Sequence, residues 1–364
     1  MAAIMKTTAE VNAHVIDTEK FKAFRSAKYN YLFNKTNGYF ARWGKRPEDD
    51  PEMAPAPEIL DLEISVNGCP NNCHFCYKGN NSGKPTNMSL DTFKLIFDKM
   101  PKSLSQIAFG ITGMQTNPDF IPMMEYSRAH GVIPNFTLSG IDVTPELART
   151  VSKLVGALAV SAYESDKNIC YNTVKIFTDL GVKQTNIHLL VSNETLPFVY
   201  EVLADRLNDE RLANLNAIVF LGVKPKGRAR KGYSSVPSTE YAKLVKHCMD
   251  ANITFGFDSC SAPKFESAVR ESNYLSDEQK TRLIESSESC ESSIFSSYIN
   301  VDGIYWHCSF SENESGIKGI NVLEANDFVK DVWNAPEAIK FRTKLLHTQV
   351  GGCRHCPVYP EINK

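Results

Sequence analysis

Cys69, Cys73 and Cys76 lie within eight residues of one another in the segment NGCPNNCHFCYKGN, spaced C-x3-C-x2-C. Three thiols presented by one tight loop directly after an apolar run are not a packing pattern; they suit a metal. Thiolates are the usual anchors of iron–sulfur clusters, and a four-iron cube with only three protein ligands keeps one iron open to a small molecule. The competing reading is a structural zinc site completed by His74, although zinc favours four closed ligands and local pairs spaced C-x2-C or C-x4-C.

Four more cysteines fall late in the chain. Cys290 and Cys308 are spaced C-x12-G-x4-C, and Cys353 and Cys356 follow in GGCRHCP. The segment SSYINVDGIYWHC reads as two short strands around Asp302-Gly303, a hairpin that returns Cys308 to Cys290 and leaves the final C-x2-C to complete a closed four-thiolate site. A zinc ribbon and an iron–sulfur cluster both satisfy that spacing. A closed cluster has no vacant iron and is suited to electron transfer or structural support. Cys260 ends the run FGFDSCSAP beside Asp258, while Cys170 and Cys248 sit in helix-like segments and read as packing residues.

The elements that must position these groups alternate. ILDLEISV (59–66), QIAFGI (106–111), VIPNFTL (132–138), GALAVSA (156–162), TNIHLLV (185–191) and NAIVFLGV (216–223) read as strands, with NITFGFDS (252–259) a seventh candidate. Between them SLDTFKLIFDKM behind a Ser89 cap, TPELARTVSKLV and NTVKIFTDLG closing on Gly181 have helical spacing. The expected fold class is α/β, a partial (β/α)6 TIM-like barrel with right-handed crossovers and its chemistry on loops at the C-terminal ends of the strands. Residues 1–58 read as an N-terminal extension ending in RPEDDPEMAPAPE, a linker or rim loop, 59–265 as the barrel, and the serine-rich, four-cysteine stretch 266–364 as a smaller module. On the fifth strand Gln184, Asn186 and His188 alternate with Thr185, Ile187 and Leu189, so three polar groups share the face that a barrel turns inward. Such groups are costly there unless they meet a ligand or one another. After the sixth strand GVKPKGRARKGY gathers Lys224, Lys226, Arg228, Arg230 and Lys231, suited to a carboxylate or phosphate or simply to solvent.

A C-x3-C-x2-C loop after the first strand, with aromatic Phe75 before the last cysteine, resembles the radical S-adenosylmethionine (SAM) superfamily over about residues 59–265. The late cysteines, whose C-x12-G-x4-C element is followed by the helix-like DVWNAPEAIKF, resemble the SPASM/twitch extensions of that family, in the shorter twitch form. The resemblance implies a radical-SAM barrel and a [4Fe–4S] cluster on Cys69, Cys73 and Cys76 with SAM at its open iron. It further implies one auxiliary [4Fe–4S] cluster on Cys290, Cys308, Cys353 and Cys356. SAM would be cleaved reductively to methionine and a 5′-deoxyadenosyl radical that abstracts hydrogen from substrate, giving oxidation or rearrangement. The family's Gly-Gly-Glu-like turn corresponds to FGITGMQ, with Gly110 and Gly113 but no glutamate, and Ser161 matches a position that holds the SAM ribose or carboxylate. Lys224 and Arg228 belong to the same set of SAM-side or substrate-side candidates, and Cys260 is a candidate catalytic hydrogen-atom donor. An electron donor such as flavodoxin or ferredoxin is implied as partner.

The bulk numbers set the outer limits. The chain has 364 residues, with 42% hydrophobic and 23% charged, enough for a substantial core. Forty basic against forty-two acidic residues give a net charge of −2, so no whole-chain field draws it to a membrane or to duplex nucleic acid. MAAIMKTTAEVNAHVIDTEKF has no signal-like apolar run, and the expectation is a cytoplasmic protein whose ten cysteines serve metal or redox roles. The expected substrate is a polar small molecule, a nucleotide or modified base, or a peptide, with the basic loop and aromatic N-terminus tilting toward the nucleotide. The alternative from another class is a non-catalytic iron–sulfur or zinc protein, a redox sensor or binding module.

Overall fold

In the computed structural model, which describes residues 5–350 and 353–363, apolar residues repeating at every second position decide the central sheet. Its strands are β5 (Ile59–Glu63), β8 (Gln106–Gly110), β9 (Ile133–Leu138), β10 (Ala157–Ser161), β11 (Gln184–Val191), β12 (Ala217–Gly222) and the short β13 (Phe255–Phe257). Each pairs in parallel with the next, which is the consecutive order of an open (β/α) barrel. One face carries Leu60, Leu62, Ile107, Phe109, Phe136, Leu158, Val160, Ile187, Leu189, Ile218 and Phe220, all buried under the crossover helices. The register places small and polar residues together on the other face: Asp61 beside Ala108, Ala108 beside Asn135, Ala159 beside Asn186, and Ser161 beside His188. A closed eight-stranded barrel fills its interior with bulky branched side chains. This interior carries small and polar side chains instead.

The helices begin and end where the sequence placed them. Ser89 Oγ accepts from the Thr92 amide at the head of helix Leu90–Phe97, Thr144 Oγ1 accepts from Leu147 before helix Pro145–Ser152, and Gly181 (φ +85°) follows helix Lys167–Asp179. DVWNAPEAIKF is two elements, not one. A π-helical turn, Phe328–Trp333, stops before helix Pro336–Leu346, because Pro336 drives Ala335 into an extended conformation (ψ 149°).

Two regions differ from the sequence expectation. Residues 15–43 form a four-stranded antiparallel sheet, β1 (Val15–Asp17), β2 (Phe21–Arg25), β3 (Asn30–Asn34) and β4 (Phe40–Trp43). It closes the N-terminal end of the barrel: Lys22 donates to the Leu104 carbonyl at 2.7 Å and Tyr31 to Ser103 at 2.5 Å. The proline-rich run is no exposed linker, since Met53 to Glu58 are buried and the amides of Ala54 and Glu58 donate to Ile294 and Phe295 at 2.9 and 2.7 Å.

The late hairpin joins the barrel sheet itself. β14 (Ser296–Ile299) lies parallel to β5, from Ser296 beside Ile59 to Ile299 beside Leu62, and β15 (Ile304–Trp306) and β16 (Ile320–Asn321) follow antiparallel. The turn at Asp302-Gly303 is the expected one, Gly303 supplying φ +76°. No helix among the described residues is long and apolar enough to cross a membrane.

Candidate active site and metal centres

The loop carrying Cys69, Cys73 and Cys76 leaves the C-terminal end of β5 and is pinched at its base by β6 (Ser65–Val66) pairing with β7 (Thr86–Asn87). Asn67, Gly68, Asn72 and Gly79 take positive φ, tight reversals that Asn and Gly tolerate, and the Gly68 and Cys69 amides donate across the loop to Gly83 and Asn81 at 2.9 Å. The three thiols are half-exposed neighbours. Burial pushes the Cys73 thiol up to about 11 against a hydrogen bond from Tyr163, and Cys69 and Cys76 add to the rise. Phe75 stacks on Tyr163 with centroids 6.0 Å apart and meets Tyr233 edge-on at 5.6 Å, an aromatic wall beside the sulfurs.

Arg228 fixes the loop from outside. Its guanidinium donates to the carbonyls of Cys73 (2.7 Å) and Asn80 (2.8 Å), and its own amide donates to that of Cys76 (3.0 Å). Gly227 is required beside it, because at φ +59° a Cβ would overlap the carbonyls of Cys76 and Tyr77. The other basic residues also meet protein groups. Lys226 donates to the Phe310 and Glu312 carbonyls, Arg230 reaches Glu314 at 3.0 Å, and Lys224 pairs closely with Asp258. Burial alone would lower the Lys224 ammonium, yet Asp258 and Cys260 reverse that and hold it above its ordinary value.

The remaining SAM-side candidates divide by depth in the barrel. Gln184, at the N-terminal end of β11, hydrogen-bonds the Asn37 carbonyl of the N-terminal sheet, and Asn186 accepts from Asn216 at 2.8 Å. His188 and Ser161 lie level with one another nearer the mouth, with His188 Nδ1 3.4 Å from Thr137 Oγ1. Gly110 brings β8 close to β5, a Cβ there falling 3.1 Å from Glu63 Cα, and a Cβ on Gly113 would sit 2.7 Å from the Asp142 carboxylate. That carboxylate was missed in the sequence. Asp142 Oδ2 accepts the Gln115 amide at 2.8 Å, while its Oδ1 is buried without a hydrogen-bond partner. The turn lacking a glutamate therefore has an acid facing it from the next strand's loop.

His188 yields a pH prediction. Burial holds the ring down to about 4, partly opposed by Asp258, against an ordinary 6.5. Between those values the unfolded chain takes the proton first, so stability falls as pH drops, by up to about 1.4 kcal/mol per pH unit. His188→Gln should shrink the difference in melting temperature between pH 7 and pH 5. An unchanged difference would place the linkage elsewhere.

In the second group the thiols of Cys290, Cys308 and Cys356 share one cavity of about 230 Å³ with Cys260, Lys224 and Asp61. Cys353 is not in it; its thiol hydrogen-bonds Glu266 and Ser289. Backbone amides point at three of the sulfurs: Phe310 and Ser311 at Cys308, Ser292 at Cys290, and Val358 and Tyr359 at Cys356, the last at 3.3 Å. Such N–H groups favour sulfur that carries negative charge, so the donor set fits a thiolate-bound cluster. Among the described residues no three His, Cys, Asp or Glu close around a single-ion point. A tetrahedral ion with sulfur at ~2.3 Å would need them within about 4 Å of one another, whereas a four-iron cube spaces its thiolates more widely.

No family model and no curated protein matches the sequence. Solved structures do. Streptococcus suis SuiB superposes with a TM-score of 0.65 at 12% identity over 90% of both chains. SuiB bound to its precursor peptide SuiA gives 0.66 at 12% identity, covering 96% of this chain and 94% of the other. Native anSMEcpe with bound AdoMet and Cp18Cys peptide gives 0.56 at 17% identity, covering 79% and 84%. At such identities the likeness is one of fold, an open parallel (β/α) barrel whose sheet continues into a cysteine-rich C-terminal region.

Proposed function

We propose that this chain is a radical SAM enzyme, holding a [4Fe–4S] cluster on Cys69, Cys73 and Cys76 with SAM at the open iron and a second [4Fe–4S] cluster on the second group of cysteines. The observation that carries the reading is the loop itself: three thiols on one braced reversal at the mouth of a barrel whose inner face carries small and polar residues. When bound, the cluster and SAM supply one electron and a 5′-deoxyadenosyl radical, which takes a hydrogen atom from substrate. The protein's part is to hold and exclude. Arg228 and Gly227 fix the loop carbonyls, and the Phe75, Tyr163 and Tyr233 rings shield the sulfurs from water. Asp142, with one oxygen unpartnered, supplies an acceptor for the ligand's amino group in place of the absent glutamate.

A peptide is the favoured substrate. SuiB with its precursor peptide and anSMEcpe with a peptide superpose on this chain over most of its length, which supports that class over the nucleotide suggested by the basic loop. In the basic loop Lys224, Arg228 and Arg230 already meet protein partners. The electron donor would be a small redox protein such as flavodoxin or ferredoxin.

Anaerobic reconstitution followed by iron counting and assay for 5′-deoxyadenosine tests the reading. Release of 5′-deoxyadenosine with a strong reductant, accelerated by a peptide pool and not by nucleosides, is expected. No 5′-deoxyadenosine would sink the enzyme reading, and acceleration by nucleosides alone would sink the peptide. Asp142→Asn keeps an acceptor for the Gln115 amide but removes the charge, so SAM should bind roughly tenfold more weakly, the loss of one charge-assisted hydrogen bond. Unchanged binding in equilibrium dialysis would free Asp142 of that role.

A further inference from the structure

Four late cysteines suggest four ligands by spacing, but the folded chain brings together a different four. Cys260 ends the turn after β13 and lines the same cavity as Cys290, Cys308 and Cys356, whereas Cys353 does not. The grouping is built rather than incidental. Asn363 ties the two distant loops: its side-chain oxygen accepts the Cys356 amide at 2.7 Å and its Nδ2 donates to the Cys260 carbonyl at 3.3 Å. Lys224, buried at 6% exposure and paired with Asp258, lies on the same cavity and sets a positive charge near the Cys260 sulfur.

Cys353 has the opposite surroundings. Its strand, β18 (Cys353–Arg354), pairs with β17 (Gln349–Val350) and packs on helix Ala262–Arg270. There its thiol meets the Glu266 carboxylate, which is 9% exposed, and the Ser289 hydroxyl. Arg354 turns the other way, donating to the Cys290 carbonyl at 2.7 Å and thereby fixing the Cys290 loop from outside the cavity.

We infer that the auxiliary cluster is held by Cys260, Cys290, Cys308 and Cys356, with Cys353 a structural thiol. This rests on the reading of the chain as a two-cluster protein. Each of the four thiols gives its proton to solvent as it binds iron, and no change in oxidation state is required. Cys260, as a ligand, is then unavailable as a hydrogen-atom donor, and the C-x2-C pair contributes one ligand instead of two.

The test uses the full chain with Cys69, Cys73 and Cys76 all changed to Ala, which leaves the auxiliary site alone. Iron, acid-labile sulfide and the EPR spectrum of the reduced protein are read after anaerobic reconstitution. About four irons are expected in this background and again when Cys353→Ala is added, with the EPR signal unchanged. Adding Cys260→Ala should leave three irons or fewer. If that variant is insoluble, Cys260→Ser decides, since an oxygen ligand shifts the EPR signal and a non-ligand position does not. Loss of iron on Cys353→Ala, retention of four irons with an unshifted signal on the Cys260 change, or no iron in the starting background each overturns the inference. The enzyme reading stands or falls separately, on 5′-deoxyadenosine formation by the unaltered protein.

Discussion

Replacing Cys73 by Ala should lower 5′-deoxyadenosine formation by at least about a thousandfold, to the rate seen without protein. Two thiolates cannot keep a four-iron cube with one iron free, so the loss is of the centre itself and not of one contact. Iron should fall from about eight to about four per chain, because the cysteines proposed for the second cluster lie on other loops. The fold should survive: Cys73 is only half-buried, and the loop is braced through backbone groups, by the Gly68 and Cys69 amides and by Arg228 on the Cys73 and Asn80 carbonyls. Circular dichroism should therefore match the parent while SAM cleavage disappears. Cleavage persisting in a folded Cys73→Ala protein with undiminished iron would refute the assignment of the loop.

The parts legible in the sequence were those in which local spacing and three-dimensional neighbourhood coincide. The barrel strands announce themselves as short β-branched runs between capped helices, and the first cysteine loop is complete within eight residues. What was not legible depends on distant chain segments. The strands β1 to β4 are three to five residues long, and they bury Lys22 beside Phe24 while Phe21 and Arg25 stay exposed, too short and too mixed for a period-two pattern to stand out. Met53 to Glu58 look like linker because proline and acid dominate there, and only their contacts with residues 294 and 295 bury them. The protein partners of the basic loop, Asp258, Glu314 and the loop carbonyls, could not be read from its sequence because they are far away along the chain. In the same way C-x2-C makes Cys353 and Cys356 look like a pair, while Asn363 and the Glu266 carboxylate separate their environments.

Lys78→Met should cost about 3–5 kcal/mol of unfolding free energy, the usual penalty for removing one partner of a buried ion pair and leaving the other uncompensated. Lys78 follows the cysteine loop and pairs with Glu63 at the end of β5 (2.9 Å) and, more closely, with Glu312 after the late hairpin. Both carboxylates are under a tenth exposed. Tyr298 ties them together, its hydroxyl 3.2 Å from Glu63 and 3.3 Å from Glu312, and Asn300 donates to Glu312 at 2.8 Å. Burial by itself would raise the Glu312 carboxyl, but Lys78, Asn300 and Tyr298 hold it below its ordinary value, so the ammonium is what keeps it ionised. Without Lys78 two buried carboxylates face each other across one hydroxyl. Adding Glu312→Gln to Lys78→Met removes one of them and should restore a good part of the stability in urea denaturation, whereas Glu312→Gln alone should be destabilising. Additive losses would mean that the three groups do not act as a unit. The network joins the first cysteine loop to β14, the strand that carries the barrel sheet toward the second cysteine group, so Lys78→Met should also reduce iron loading in a protein that still contains all ten cysteines.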